Sequence, residues 1–127
     1  MSGVTRAHLT RIVTDGRGGT AFAATDVPLE RGDFAPPAPP MLRSEPVAAR
    51  AVRFLGAAAG WDSPPHPAPA RQYIVMLRGT VRATVSDGEM RTFVPGDVVL
   101  LEDTSGEGHR TFIPGDADWL ALVVVLD

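Results

Sequence analysis

QYIVMLRGTVRATVSDGEMRTFVPGDVVLLE, residues 72–102, decides the reading of this sequence. Turn residues cut it into short pieces: Gly79, then Asp87-Gly88, then Pro95-Gly96-Asp97. The pieces between them carry strand character. Val81, Ala83 and Val85 alternate with Arg82 and Thr84, so one side of the segment is apolar and the other polar. Asp87-Gly88 accepts the positive backbone angles of a tight hairpin turn. The spacing therefore predicts a strand over 72–79, a hairpin over 80–94 and a mostly apolar strand over 98–102. Downstream, the loop DTSGEG (103–108) leads into HRTFI (109–113), and PGDAD (114–118) turns into WLALVVVL (119–126). A strand apolar at nearly every position has to be covered on both faces. Short, evenly spaced strands with no helical period indicate an all-β, closed or sandwiched antiparallel barrel.

Upstream the character changes. Residues 1–65 are rich in Ala and Pro. Ile12–Thr14 and Thr20–Thr25 read as short strands about an Asp15-Gly16 turn. DFAPPAPPM (33–41) holds four prolines in five positions, which no helix or central strand accommodates. Phe34, Met41 and Leu42 flank it, and such apolar anchors predict an extended arm fixed along the domain surface rather than a flexible linker. VAARAVRFLG (47–56) permits a short helix, but Val52 and Phe54 on either side of Arg53 favour a strand. GRGG at 16–19 has no Lys-Ser/Thr partner and no following helix, so it is a turn and not a phosphate loop.

Composition limits the rest. The chain has 127 residues and a mass of 13.4 kDa, the size of one domain. Cysteine is absent, which removes disulfides, thiolate nucleophiles and cysteine-ligated metals. The 12 basic residues are all Arg, scattered against 15 acidic ones for a net charge of -3, so a nucleic-acid partner is not expected. No apolar run approaches a membrane span, and MSGVTRAHLTRIV lacks the features of a signal peptide, so a soluble cytoplasmic protein without membrane association is expected.

From Gly60 to Thr111 the sequence resembles the cupins, in particular a group of short, single-domain bacterial members of the RmlC-like superfamily. The resemblance rests on Gly60, then WDSPP, His66-Pro67-Ala68, Gln72 and Gly79. A Pro-Gly turn and a strand then lead to His109 in FVPGDVVLLEDTSGEGHRT. It implies a double-stranded β-helix, or jelly-roll barrel, in one domain over 1–127. Residues 1–59 would supply N-terminal strands and the Pro-rich arm, and 60–127 the core motifs. It also implies a homodimer, with the arm reaching toward the neighbour.

Cupins hold a divalent metal with three His and one Glu. His66 and His109 stand at two of those positions, while Ala68 replaces the second His and Gln72 the Glu. The ligand set is half retained. If a metal ion (Zn, Mn, Fe or Ni) binds, His66 and His109 are its expected ligands, with Gln72 or Glu102 assisting.

Without metal, the two imidazoles suit acid–base chemistry. Glu102 ends the apolar run VVLL. Alternation puts Leu100 and Glu102 on one face, and Leu101 and Asp103 on the other. Packing Leu100 inward would place Glu102 beside His109 as a proton-transfer pair, so His66, Glu102 and His109 are the expected catalytic residues. With Gln72 directed into the barrel, Ile74 and Met76 follow it on the same face, and Trp61 sits near the mouth. These four are the expected substrate-binding residues. The expected function is an acid–base enzyme of isomerase, lyase or cyclase type acting on an apolar or cyclic metabolite. A small-molecule-binding module without turnover is the alternative.

Overall fold

The computed structural model describes residues 5–127. The first four residues of the expected 1–127 domain lie outside the described residues. Among the described residues, eleven strands carry the fold: β1 (Arg6–Thr14), β2 (Thr20–Pro28), β3 (Glu30–Gly32), β4 (Met41–Arg43), β5 (Ala51–Ala57), β6 (Gln72–Arg78), β7 (Val81–Val85), β8 (Met90–Phe93), β9 (Val98–Leu101), β10 (His109–Phe112) and β11 (Trp119–Val125). No helix long and apolar enough to cross a membrane occurs among the described residues.

Six strands form one wall in the order β2-β1-β9-β6-β11-β5, and three form the facing wall in the order β10-β7-β8. Residues 60–68 widen the smaller wall without being a continuous strand. They run antiparallel to β10 through bridges Asp62 to Phe112 and His66 to His109. The barrel is all-β, as the turn spacing predicts.

Alternation decides what faces the interior. On β6, Gln72, Ile74 and Met76 are buried, while Tyr73 and Val75 are half-buried on the outer side. Directly opposed residues share a face. Gln72 opposes Leu101 and Val125, and Ile74 opposes Val99 and Val123, so all of these line the interior. Val81, Ala83, Val85 and Phe93 meet them from the smaller wall, and Ile12 joins from β1. Burying each such Val, Ile or Phe contributes about 1.5–3 kcal/mol. Phe22 and Phe93 close the barrel edge to face, with ring centroids 6.3 Å apart.

Three differences from the sequence reading stand out. The N-terminal strands are longer than the hydrophobic pattern suggests, because cross-strand pairing runs from Arg6 opposite Pro28 to Thr14 opposite Thr20. The N-terminal half is also integral to the barrel: β1, β2 and β5 are half of the six-stranded wall. The arm does not lie along its own domain. Residues 30–43 fold back on themselves as the ribbon of β3 and β4, with the prolines in its bend, and Phe34, Met41 and Leu42 are left exposed.

Candidate functional site

His66 and His109 meet at one end of the barrel. Each backbone N–H donates to the other's carbonyl, at 3.1 Å from His66 and 3.0 Å from His109, so the two residues are clamped face to face. Their ring centroids lie 5.4 Å apart, tilted by 50°. Pro67 restricts the chain next to His66, and its carbonyl accepts from His66 Nδ1 at 2.9 Å. His109 Nδ1 donates to Asp103 Oδ2 at 2.6 Å. In the neutral form of each ring these acceptors favour the tautomer with the proton on Nδ1, which leaves Nε2 as the basic nitrogen.

Asp103, which sequence reasoning passes over in favour of Glu102, is the carboxylate at the site. It is fully buried (0% exposed), and its Oδ1 has no hydrogen-bond partner among the described residues. Its carbonyl accepts from Ala68 N at 2.9 Å, which ties the loop after β9 to the segment that carries His66. The expected Glu102–His109 pair does not form. Leu100 opposes Tyr73 and packs outside with Leu9 and Leu126, so Glu102 follows it outward. There it accepts from Arg11 Nε at 2.5 Å, with Arg71 at 4.0 Å. The alternation was read correctly and the inward face was not. Register decides the matter, because Leu101 opposes Gln72 and carries Asp103 inward with it.

The loop before His109 is held by residues far away in sequence. Thr20 Oγ1 donates to the Gly108 carbonyl at 2.7 Å and accepts from Ser86 N at 2.9 Å, and Glu107 N donates to Gly18 O at 2.8 Å. The GRGG turn thus has a task, which is to seat the loop that delivers His109. Nothing in its local pattern signals this.

The histidines open on a cavity of about 330 Å³ lined by Gln72, Ile74, Met76, Trp61, Phe93 and Trp119, among others. That is the small end of the range for ligand pockets. The lining is mainly apolar. Ala68 presents a methyl group where the second histidine of the resembled motif would stand. Gln72 is buried, and its side-chain amide makes no hydrogen bond to another described residue, so it is uncommitted toward a ligand. Trp61 is half exposed at the mouth.

No family model and no curated protein matches the chain. Among solved structures it is similar to a cupin 2 conserved barrel domain protein from Salinispora arenicola, at a TM-score of 0.52 and 24% identity over 80% of this chain and 76% of that one. The chain has a cupin fold. Two further likenesses are to the cupin domain of Schizosaccharomyces pombe Cnp3 and to a conserved protein of unknown function from Streptococcus pyogenes. The first has a TM-score of 0.49 and 11% identity over 98% of this chain and 90% of that one. The second has 0.47 and 20% over 60% and 63%.

Cupin barrels commonly carry a metal, and the residues here do not fit one. Among the described residues, no group of three His, Cys, Asp or Glu side chains is arranged to hold a metal ion. His66, His109 and a neutral amide from Gln72 make a weak donor set for a first-row divalent ion. Asp103 is already engaged with the Nδ1 side of His109.

Beside this site, Asp62 and Arg110 form a two-point ion pair that staples the His66 segment to β10. The hydrogen bond from Arg110 is the main reason that the Asp62 carboxyl is held below its ordinary value of 3.8, against a smaller opposing effect of desolvation. A depressed folded-state value means that the staple stabilises fully above the ordinary carboxylate range. The contribution is lost as pH falls through the lowered value. Both groups are solvent-exposed, so the effect is small. Urea unfolding of Asp62→Asn and wild type should differ slightly at neutral pH and converge in acid. A difference that persists or grows in acid would contradict the assignment.

Proposed function

We propose that this cupin-fold protein is an acid–base enzyme that moves a proton on a compact apolar or cyclic metabolite, as an isomerase, lyase or cyclase does. The observation that carries the reading is the buried Asp103 carboxylate accepting from His109 Nδ1 at 2.6 Å beside an apolar cavity. A buried carboxylate behind an imidazole fixes its tautomer and offsets the positive charge that develops when Nε2 takes a proton.

The chemistry follows from the groups at hand. His109 Nε2 removes a proton from carbon next to a carbonyl; the C–H electron pair becomes the C=C bond of an enolate, and the carbonyl π pair moves onto oxygen. The Gln72 amide N–H is suited to bond that oxygen as charge develops. The proton then returns from His109 Nε2 to the same carbon or to a conjugated one. The apolar walls suit a hydrocarbon ring with few polar handles. That lining also favours the second reading, a binding protein without turnover.

Proton NMR in heavy water separates the two. Cyclic ketones from cyclohexanone to tetralone serve as probes. Enzyme activity of this kind should exchange their α-protons well above the buffer rate, and His109→Gln should return exchange to that rate. Ketones that bind without accelerated exchange would leave the binding reading alone. Neither binding nor exchange would reject both.

A further inference from the structure

β5 carries an arginine on the inner face of the six-stranded wall. Directly opposed residues share a face. Arg53 opposes Val123, Leu55 opposes Ala121 and Ala57 opposes Trp119. Those three β11 residues belong to the core, so Arg53, Leu55 and Ala57 are on the inward side of β5. β5 is also the edge of its wall and pairs only with β11. Its inner face is therefore uncovered along one side. Leu55 is 44% exposed, while Ala121 opposite it is fully buried. Leu55 and Ala57 line the histidine cavity together with Trp61 and His66, so the cavity opens along this strand.

Arg53 is one inward position beyond Leu55, about 7 Å along the strand. Through Val123 it is level with Ile74, the inward neighbour of Gln72. β11 separates β5 from β6, so these two strands are about 10 Å apart. Arg6, Arg11, Arg71, Arg91 and Arg110 each pair with a carboxylate. Arg53 is exposed and has no carboxylate partner among the described residues. It stands beside a cavity whose lining, among the described residues, contains no Arg, Asp or Glu.

We propose that Arg53 is a specificity-determining residue that binds a carboxylate on a side arm of the substrate, which makes the substrate a cyclic keto acid. The inference rests on the reading of the cavity as a site for a cyclic carbonyl compound. The ring occupies the apolar interior with its carbonyl toward Gln72 and His109, and the acidic arm leaves through the opening along β5. A guanidinium meets a carboxylate with two parallel N–H donors, a match that neither histidine nor the Gln72 amide provides. The separation of β5 from β6 sets the length of the ligand. A six-membered ring with an acetate arm opposite its carbonyl suits it. Inward-pointing charges on edge strands also deter edge-to-edge pairing. That role needs only a charge at position 53 and makes no distinction between ligands.

Ligand-observed NMR on the full chain at neutral pH tests this. The probes are cyclohexanone carrying an acetate arm opposite the carbonyl, and the methyl ester of the same compound. The acid should bind about tenfold or more tightly than the ester, the scale of a charged hydrogen bond. The preference should shrink in high salt. Arg53→Gln should abolish it and leave the affinity for the ester unchanged. Arg53→Lys should restore part of it, because the charge returns without the paired donors. Arg82→Gln removes the same charge from the outer side of the smaller wall, between the core residues Val81 and Ala83, and should keep the preference. Equal affinity for acid and ester in wild type would overturn the proposal, and so would a preference that survives Arg53→Gln. Accelerated α-proton exchange in the ester with no preference for the acid would reject the role of Arg53 alone. A preference for the acid that Arg53→Gln removes, without accelerated exchange, would uphold the role of Arg53 and reject the enzyme reading. Binding of neither compound would reject both.

Discussion

Asp103→Asn should lower the rate of α-proton exchange by about 10²–10⁴-fold, the usual contribution of a positioned acid–base group. Asn keeps the size of the side chain and can still accept from His109 Nδ1. It carries no negative charge to offset an imidazolium. The loss should therefore fall on the proton-transfer step, with affinity for the ketone nearly unchanged. Glu102→Gln is the matched control one residue earlier. Its side chain lies on the outer face, partly buried in ion pairs with Arg11 and Arg71 and away from the two histidines. Its exchange rate should equal that of wild type. The assignment fails if Glu102→Gln abolishes exchange or if Asp103→Asn leaves it unchanged while His109→Gln removes it. Stability must be measured in parallel, because a buried charged hydrogen bond contributes about 1.5–3 kcal/mol.

Gly108→Ala should be the most disruptive small substitution in the site. Gly108 has φ of +73°, and a Cβ there would collide with the backbone carbonyl of His66 and with Pro67 N. A left-handed angle alone costs a non-glycine residue about 1–2 kcal/mol. The collision is with backbone on both sides, so relief requires pulling apart the His66–His109 bridge. A total loss of about 3 kcal/mol or more is expected, at the severe end for single substitutions. Gly88→Ala isolates the backbone component. Its φ is +94°, and nothing lies within 4 Å of the added Cβ. Urea unfolding should show a loss of only about 1–2 kcal/mol there. Equal losses at the two positions would mean that the close approach of the loop to His66 has no energetic weight. If Gly108→Ala still folds, its His66 and His109 ring resonances should move while those of Gly88→Ala stay in place.

The strands from Gln72 onward were legible because each is bracketed by Gly or Pro-Gly turns, and because Val81, Ala83 and Val85 alternate cleanly. The convergence of His66 with His109 was legible only through the family pattern, since the two are far apart in the chain. What could not be read was register. A strand such as VVLLE is apolar on both faces, so its own pattern does not say which side is inside. Only the pairing of Leu101 with Gln72 sends Asp103 inward and Glu102 outward. The arm was misread for a related reason. Apolar residues around a proline run announce a contact, but they do not say whether the surface belongs to the same chain.

The pairing of β1 with β9 has a consequence for how the protein is made. These strands run parallel, with Thr10 opposite Val99 and Ile12 opposite Leu101, and β5 at the other edge pairs with β11, the last strand of all. During synthesis, β1 and β2 emerge first and can zip together at once, yet β1 must keep its second edge open until residue 101 has left the ribosome. β5 waits longer still, for residues 119–125. Contacts between distant parts of a chain form late and slowly, and unpaired edges are the places where nascent chains stick to one another. The C-terminal strand is thus the keystone of biogenesis: until it arrives, β6 has an open edge and β5 has no partner at all, and truncation near Trp119 should yield insoluble nascent product rather than a smaller barrel.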